Sequence, residues 1–347
     1  MKPLADYLNA FPKFSVAVLG DLMVDRYVFG HATRISQEAP VPVVQVQRVE
    51  NVLGGAANVA RNILSLGGHA EVFGTTGKDA DGKVLKKLFQ DAGGGVTGIV
   101  CAMDATTTVK MRILASNQQI VRVDYEQPDQ ITESHRGALL ERLEDFLATG
   151  RCNALILEDY AKGIFTQDFM AAVVRIAKRQ GVAVALDPHP THPFDVKGLK
   201  FMTPNRMEAF ALAGKPFVHG IGNPEHDLPL RRVGEELMRR WEPELLMITL
   251  GSEGVALYPR DGGKPLFIPT QARRVFDVSG AGDTVMATMT LALLAGASPE
   301  EAATIANHAA GVVVGYVGTR AIETTELREE LEGCAAKGCY PKSNRRS

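Results

Sequence analysis

An α/β fold built on a mostly parallel sheet is predicted by three observations. Apolar runs rich in Val, Ile and Leu alternate with amphipathic stretches, the runs end in Gly, Asp or Glu, and glycines close the amphipathic stretches. Strands buried on both faces read as continuous apolar runs, and helices lying on those faces carry a single apolar stripe.

In order, SVAVLGD (15–21) reads as a buried strand and AANVARNILSLGG (56–68) as a helix closed by glycines. AEVFG (70–74) is a strand and DGKVLKKLFQDAG (81–93) a helix. A helix over 132–148, strand ALILED (154–159) and a helix over 166–180 stopped by Gly181 follow. Strand VAVALDP (182–188), a short strand to Pro204 and ELLMITLG (244–251) complete the pattern. Two stretches break the rhythm. VPVVQVQRVE (41–50) alternates and contains a Pro, as a half-exposed edge strand does. Residues 107–124 read as a hairpin turning around Ser116-Asn117. Both belong to a small β-lid, from segments of about 22–50 and 98–125, on a single domain over 1–333 with a disordered tail over 334–347.

At 347 residues and 45% hydrophobic content, the chain can bury a large core. A net charge of −2 excludes a basic nucleic-acid binder, so an anion site must come from local cations. Four cysteines with no C-x-x-C pair point to reduced thiols in a cytoplasmic protein. The N-terminus lacks the apolar run of a signal peptide, and the apolar stretch 285–297 is too short to span a bilayer. No membrane or nucleic-acid partner is expected.

Ligands of open parallel sheets bind beyond the carboxyl ends of the strands, where Asp21, Glu158, Asp159, Asp187, Asn205 and Gly251 fall. The strongest chemical signal is DVSGAGDTVMATMTLALLAG (277–296). Gly280, Ala281 and Gly282 let backbone approach an anion, and the first amides of the following helix point outward with the positive end of its dipole. A phosphoryl group in transfer spreads negative charge that such a turn can hold. Asp283 beside it can accept a proton from an attacking hydroxyl, a role worth ~10² to 10⁴ in rate. A glycine turn followed by a capping Asp is the alternative for these four residues alone.

VSGAGDT resembles the second signature of the PfkB-type carbohydrate kinases, and LGGAANVARNILSLGG (53–68) resembles their first. The resemblance implies a ribokinase-like fold, ATP as phosphoryl donor with Mg²⁺, and a sugar contacted by Gly54, Gly55 and Asn58 and by Asp21 after the first strand, with Asp25 a further candidate. GDLMVDRY (20–27), RISQEAPVPVV (34–44), LASNQQIVRVD (114–124), DYAKG (159–163), PTQARRVFDVSGAGDT (269–284) and AAGVVVGYVGT (309–319) narrow the likeness to the heptose 7-phosphate kinases of that family. It extends from about residue 15 to about 330.

That likeness implies transfer to the anomeric hydroxyl of a sugar that already carries a phosphate. Lys110, Arg112, Arg122 and Lys162 are candidate phosphate cations, with Gln118 of the N-Q-Q run beside them. Asn205 and Glu208 resemble the family's N-x-x-E element for Mg²⁺ held through water, though an Asn followed three residues later by Glu is also a capping box. Asp187, Thr249, Gly251, Gly254, Asn307 and Gly311 stand at nucleotide positions. Asp277, with Ser279 and the 314–319 loop, is a candidate for a monovalent cation such as K⁺. Ser298-Pro299-Glu300-Glu301 is a capping box with no assigned chemistry.

Two departures stand out. His189 replaces a Lys of related kinases, which makes a nucleotide-side charge pH-dependent. The adenylyltransferase fused to many relatives has no H-x-G-H counterpart here, so that step is expected from a separate enzyme or from the remainder of a longer protein. A homodimer through the lid is expected, because open sheet edges seek partners. A Walker A kinase is excluded because GTTGKD (74–79) lacks the spacing and the Ser/Thr after Lys. A dinucleotide-binding oxidoreductase lacks G-x-G-x-x-G after the first strand. The remaining alternatives are another PfkB-type kinase for fructose, ribose or a sugar phosphate, and an inactive ATP-binding scaffold.

Overall fold

The computed structural model describes residues 2–336 apart from 116–117, 128–129, 221, 271–274 and 317. Its first half runs β1 (Ser15–Gly20), β2 (Leu22–Ile35), β3 (Pro42–Gly55), α1 (Ala56–Ser65), β4 (His69–Gly77), α2 (Ala80–Asp91), β5 (Ile99–Ala102), β6 (Thr108–Ala115), β7 (Gln118–Tyr125) and α3 (Glu133–Ala148). Next come β8 (Ala154–Glu158), α4 (Gln167–Arg179), β9 (Ala183–Asp187), β10 (Phe201–Met202), α5 (Arg206–Leu212), α6 (Leu228–Trp241) and β11 (Leu245–Thr249). The chain closes with β12 (Val255–Pro259), β13 (Leu266–Ile268), α7 (Ala281–Leu294), α8 (Pro299–Val313) and α9 (Thr324–Ala336).

Nine strands form the main sheet in the order β13-β12-β11-β10-β9-β8-β1-β4-β5. The pairs from β11 to β5 are parallel, and β12 and β13 add an antiparallel edge. Every residue of β8 is buried, as a strand covered on both faces requires. The two apolar clusters lie on opposite faces of the sheet: alternate residues of β1 go to different ones, Val16 and Val18 to one, Ala17 and Leu19 to the other.

The lid is a separate four-stranded sheet ordered β3-β2-β6-β7. It leaves the body where β1 passes through Asp21 into β2, and returns where β3 runs into α1. Gly55 makes that return at φ 56°, and a Cβ there would lie 2.5 Å from the Asp21 carbonyl oxygen, so the corner needs a glycine.

Several sequence expectations need correction. The second lid segment begins at β6, not near 98: β5 pairs in parallel with β4 and extends the main sheet, with Ile99, Val100 and Ala102 buried. The strands β12 and β13, and a 3₁₀ helix over Leu4–Lys13 that buries Tyr7, Leu8 and Phe11, are not among the elements read from the sequence. α9 continues to Ala336 with Cys334 buried, so the expected tail boundary at 333 falls inside a helix. The rest of that tail and the turn at Ser116-Asn117 lie outside the described residues. The capping box at Ser298 and Glu301 forms as read. Among the described residues no helix is long and apolar enough to cross a membrane.

The helix that matters most is α7. It is apolar on all sides and buries ten consecutive residues from Asp283 to Ala292, and it packs between α1 and α8. Gly280 precedes it in the left-handed conformation at φ 78° and, being a glycine, has no side chain of its own to cap the helix. The first amides of α7 have no partner within the helix.

Candidate functional site

Asp283 is the third residue of α7 and is buried. Asn58 Nδ2 from α1 donates to its Oδ2 at 2.6 Å, and the Tyr160 hydroxyl donates to its Oδ1 at 2.7 Å. Burial pushes the carboxyl above the usual aspartate value, while the two hydrogen bonds and the charge of Lys110 pull it back and Asp25 adds a smaller upward push. Gly280 sits against this pair, because a Cβ on it would lie 3.0 Å from Asn58 Nδ2. Gly282 faces Asp187, with a Cβ position 4.0 Å from Asp187 Oδ2.

Asp21 is tied to the loop after β8. Its Oδ2 accepts from the backbone amides of Tyr160 and Lys162, each at 3.0 Å. Burial pushes its carboxyl up to about 6 against the pull of those amides. Asp21 and Lys162 also line a small polar recess with Thr76, Thr106, Thr108 and Gln130. Asp25 pairs with Arg112 across the lid, and Gly54 lies close to Asp25, as a Cβ there would come within 2.7 Å of Oδ2. Tyr27 and Thr319 join the group: their hydroxyls are 2.9 Å apart, and Thr319 Oγ1 lies 3.5 Å from Asp25 Oδ2.

The cations gather on one face of the lid hairpin. Lys110 stands opposite Asp124 and Arg112 opposite Arg122 in the β6–β7 register, and side chains two residues apart share a face. Lys162 reaches Glu126 at 2.7 Å. Burial lowers the Lys110 ammonium, and Lys162 and Arg122 lower it further while Asp25 and Asp124 raise it. Arg122 is exposed and pairs with Asp124, and Gln118 is exposed at the start of β7, so both lie toward the rim.

The strand ends collect further carboxylates. Glu158 and Asp187 are register partners on β8 and β9, and both are pushed well up by burial and by each other's neighbourhood of acids, including Asp283 and Glu208. Neither oxygen of Glu158 meets a hydrogen-bond donor among the described residues, whereas Asp187 accepts from Thr203 at 3.2 Å. Asn205 and Glu208 form the reciprocal capping box of α5. Thr249 bridges to Asn205 through backbone, and Gly251 and Gly254 follow in the turn after β11 with φ of 61° and 97°. Asn307 donates to the Pro269 carbonyl at 2.7 Å, and Gly311 lies one turn further along α8. Asp277 accepts from the amides of Ser279 and Gly318 at 2.9 and 3.0 Å. His189 Nδ1 lies 2.7 Å from Thr191 Oγ1, and burial holds its imidazole below the ordinary value, so no fixed charge stands there at neutral pH.

Asp21, Asp25, Gly54, Gly55, Asn58, Arg112, Lys162, Gly280, Gly282 and Asp283 are thus one connected group, and the residues around Asn205 and Asn307 lie along the neighbouring strand ends and α8. Sequence reasoning passed over Tyr160, whose hydroxyl reaches Asp283. It stood inside DYAKG, but nothing in a linear motif says that a phenol will turn toward residue 283.

The pfkB family carbohydrate kinase model matches residues 13–326. The Bifunctional protein HldE of Geobacter sulfurreducens is 43% identical over 89% of this chain, and that of Vibrio cholerae 39% identical over 96%. The chain spans 61% and 66% of the length of those two relatives. Among solved structures, Arabidopsis thaliana ribokinase complexed with ribose and ATP superposes with a TM-score of 0.67 at 21% identity, covering 92% of this chain and 98% of that one. Escherichia coli phosphofructokinase-2 in complex with fructose-6-phosphate gives 0.71 at 18%, covering 93% and 99%. Both likenesses support the ribokinase-like fold.

Asp21 generates a testable stability effect. Its folded value lies above its unfolded value, so the native state holds the extra proton. The resulting stabilisation is complete below about pH 4 and is lost as pH rises through about 6. Asn at this position keeps an acceptor oxygen for the two amides and never ionises. Urea unfolding of Asp21→Asn should show a gain on the order of 3 kcal/mol over the parent at pH 8, shrinking to nothing near pH 4. Equal stability at pH 8 contradicts the burial account.

Proposed function

Because the chain belongs to the pfkB family of carbohydrate kinases, we propose that it transfers the γ-phosphoryl group of ATP to the anomeric hydroxyl of D-glycero-D-manno-heptose 7-phosphate. The product is the 1,7-bisphosphate, on the way to the ADP-heptose of lipopolysaccharide core. The observation that carries this reading is Asp283, a buried carboxylate at an uncapped helix start, with the Lys110, Arg112 and Lys162 cations gathered nearby across the sugar side. Arg112 and Lys162 are held by Asp25 and Glu126, and a sugar that carries a phosphate gives these cations an anion to bind that a plain sugar lacks.

Asp283 takes the proton of the anomeric hydroxyl, which is more acidic than an ordinary alcohol, so a carboxylate base suffices. The amides of Gly280, Ala281, Gly282 and Asp283 receive the charge of the transferring phosphoryl group. Asp21, Asp25, Asn58, Gly54 and Gly55 hold the sugar, and Arg112, Lys162, Arg122 and Gln118 its phosphate. The nucleotide lies along Asp187, Thr249, Gly251, Gly254, Asn307 and Gly311. Asn205 and Glu208 would hold a hydrated Mg²⁺. The surplus of carboxylates there, with both Glu158 oxygens unpartnered among the described residues, fits a divalent ion that keeps most of its waters. When bound, the ion offsets phosphate charge. Asp277 is the candidate for K⁺. The lid closes over the sugar and keeps out water, which would compete as acceptor. The unbridged thiols of Cys101 and Cys152 agree with work in the cytoplasm.

With heptose 7-phosphate as acceptor, Asp283→Asn should lose at least ~10²-fold in kcat with little change in KM for ATP. The parent should leave unphosphorylated heptose almost untouched. Near-normal turnover in the variant refutes the base, and equal use of both sugars refutes the phosphate clamp.

The lid exposes Val46 and Val49 on one edge strand and Ile120, Val121 and Val123 on the other. Two such edges favour pairing with a second copy of the chain. Light scattering at micromolar protein should give twice the 37.4 kDa chain mass, and a monomer would end this reading.

A further inference from the structure

We infer that Tyr160 is a positioning residue for the reaction: its hydroxyl fixes the orientation and readiness of the Asp283 carboxylate, and its loop ties that carboxylate to the sugar-binding Asp21. The inference rests on the kinase reading above and adds a residue to it.

The geometry is specific. Asp283 is gripped by two donors from different elements, Asn58 on α1 through Oδ2 and Tyr160 through Oδ1. A carboxylate offers about four acceptor positions, so one hydrogen bond to each oxygen fixes its plane and leaves lone pairs for an incoming hydroxyl. Tyr160 is itself held. Its backbone amide donates to Asp21 Oδ2 at 3.0 Å, and Lys110 Nζ lies 5.5 Å from its ring centroid. The next residue, Ala161, has φ 55°, a conformation a non-glycine residue adopts only under constraint, and its amide donates to Asp159 Oδ1 at 2.9 Å. Burial and the surrounding acids keep the phenol protonated, so it remains a donor.

The charged groups around Asp283 divide by sign. Asp25 of β2, Glu158 of β8 and Asp187 of β9 oppose its ionisation, and Lys110 of β6 favours it. Against three acids and full burial, the two neutral donors and the charge of Lys110 favour the ionised form. Removing the phenol oxygen therefore raises the carboxyl's pKa. The fraction of active base falls on the acid side and is restored at high pH.

The test compares the parent with Tyr160→Phe, which keeps the ring, and with 3-fluorotyrosine at position 160, whose more acidic hydroxyl is the stronger donor. Two quantities are read: the acid limb of kcat/KM for heptose 7-phosphate, and the ¹³C titration of the Asp283 carboxyl without substrate, assigned by its loss in Asp283→Asn. With phenylalanine both midpoints should rise by roughly one pH unit, cutting kcat/KM about tenfold on the acid limb and far less on the alkaline plateau. With fluorotyrosine both should fall. An unmoved carboxyl titration, or a uniform loss of rate at every pH, overturns the inference. Should the parent fail to phosphorylate the heptose while the titration shifts as stated, the substrate reading fails and the role of Tyr160 stands.

Discussion

A carboxylate buried at the start of an apolar helix is held against a steep desolvation penalty, and the rest of the site is arranged around that constraint. Asp283 sits on α7 with ten consecutive residues buried, where an unsupported aspartate would simply take up a proton. Asn58, Tyr160 and Lys110 supply the compensation, each from a different element. α1, the loop after β8 and the β6 strand of the lid thus meet at one carboxyl.

The same constraint explains the glycines. Gly280 leaves room for Asn58 where a Cβ would come within 3.0 Å of its amide. Gly55 allows β3 to turn into α1 directly over Asp21. Lid and body are therefore joined beside residues that touch the sugar in the proposed mechanism. Arg112, paired with Asp25, extends that link toward the phosphate side.

Much of the fold was legible because its strands are apolar runs and its helices carry stripes, as in ALILED and AANVARNILSLGG. The antiparallel edge formed by β12 and β13 was not: β12 is as long as β8, but these two strands follow β11 with no α-helix between them and so fall outside the strand–helix alternation by which the others were recognised. Local chemistry was legible in the same way. Asn205 with Glu208 forms the capping box its spacing allows, so the capping reading holds. What no local pattern contains is convergence in space. Arg112 and Arg122 were both candidate phosphate cations in sequence, yet one is half-buried against Asp25 and the other lies exposed with Asp124. Tyr160 and Glu158 acquire meaning only through residues more than a hundred positions away or on neighbouring strands.

The most direct test of the central claim is a crystal structure of Asp283→Asn with the sugar phosphate and a non-hydrolysable ATP analogue. The anomeric oxygen should lie within about 3 Å of the residue 283 side chain, with the γ-phosphate against the amides of residues 280–283. A sugar bound with its anomeric carbon turned away from that side chain, or a nucleotide whose phosphates end elsewhere, would contradict it.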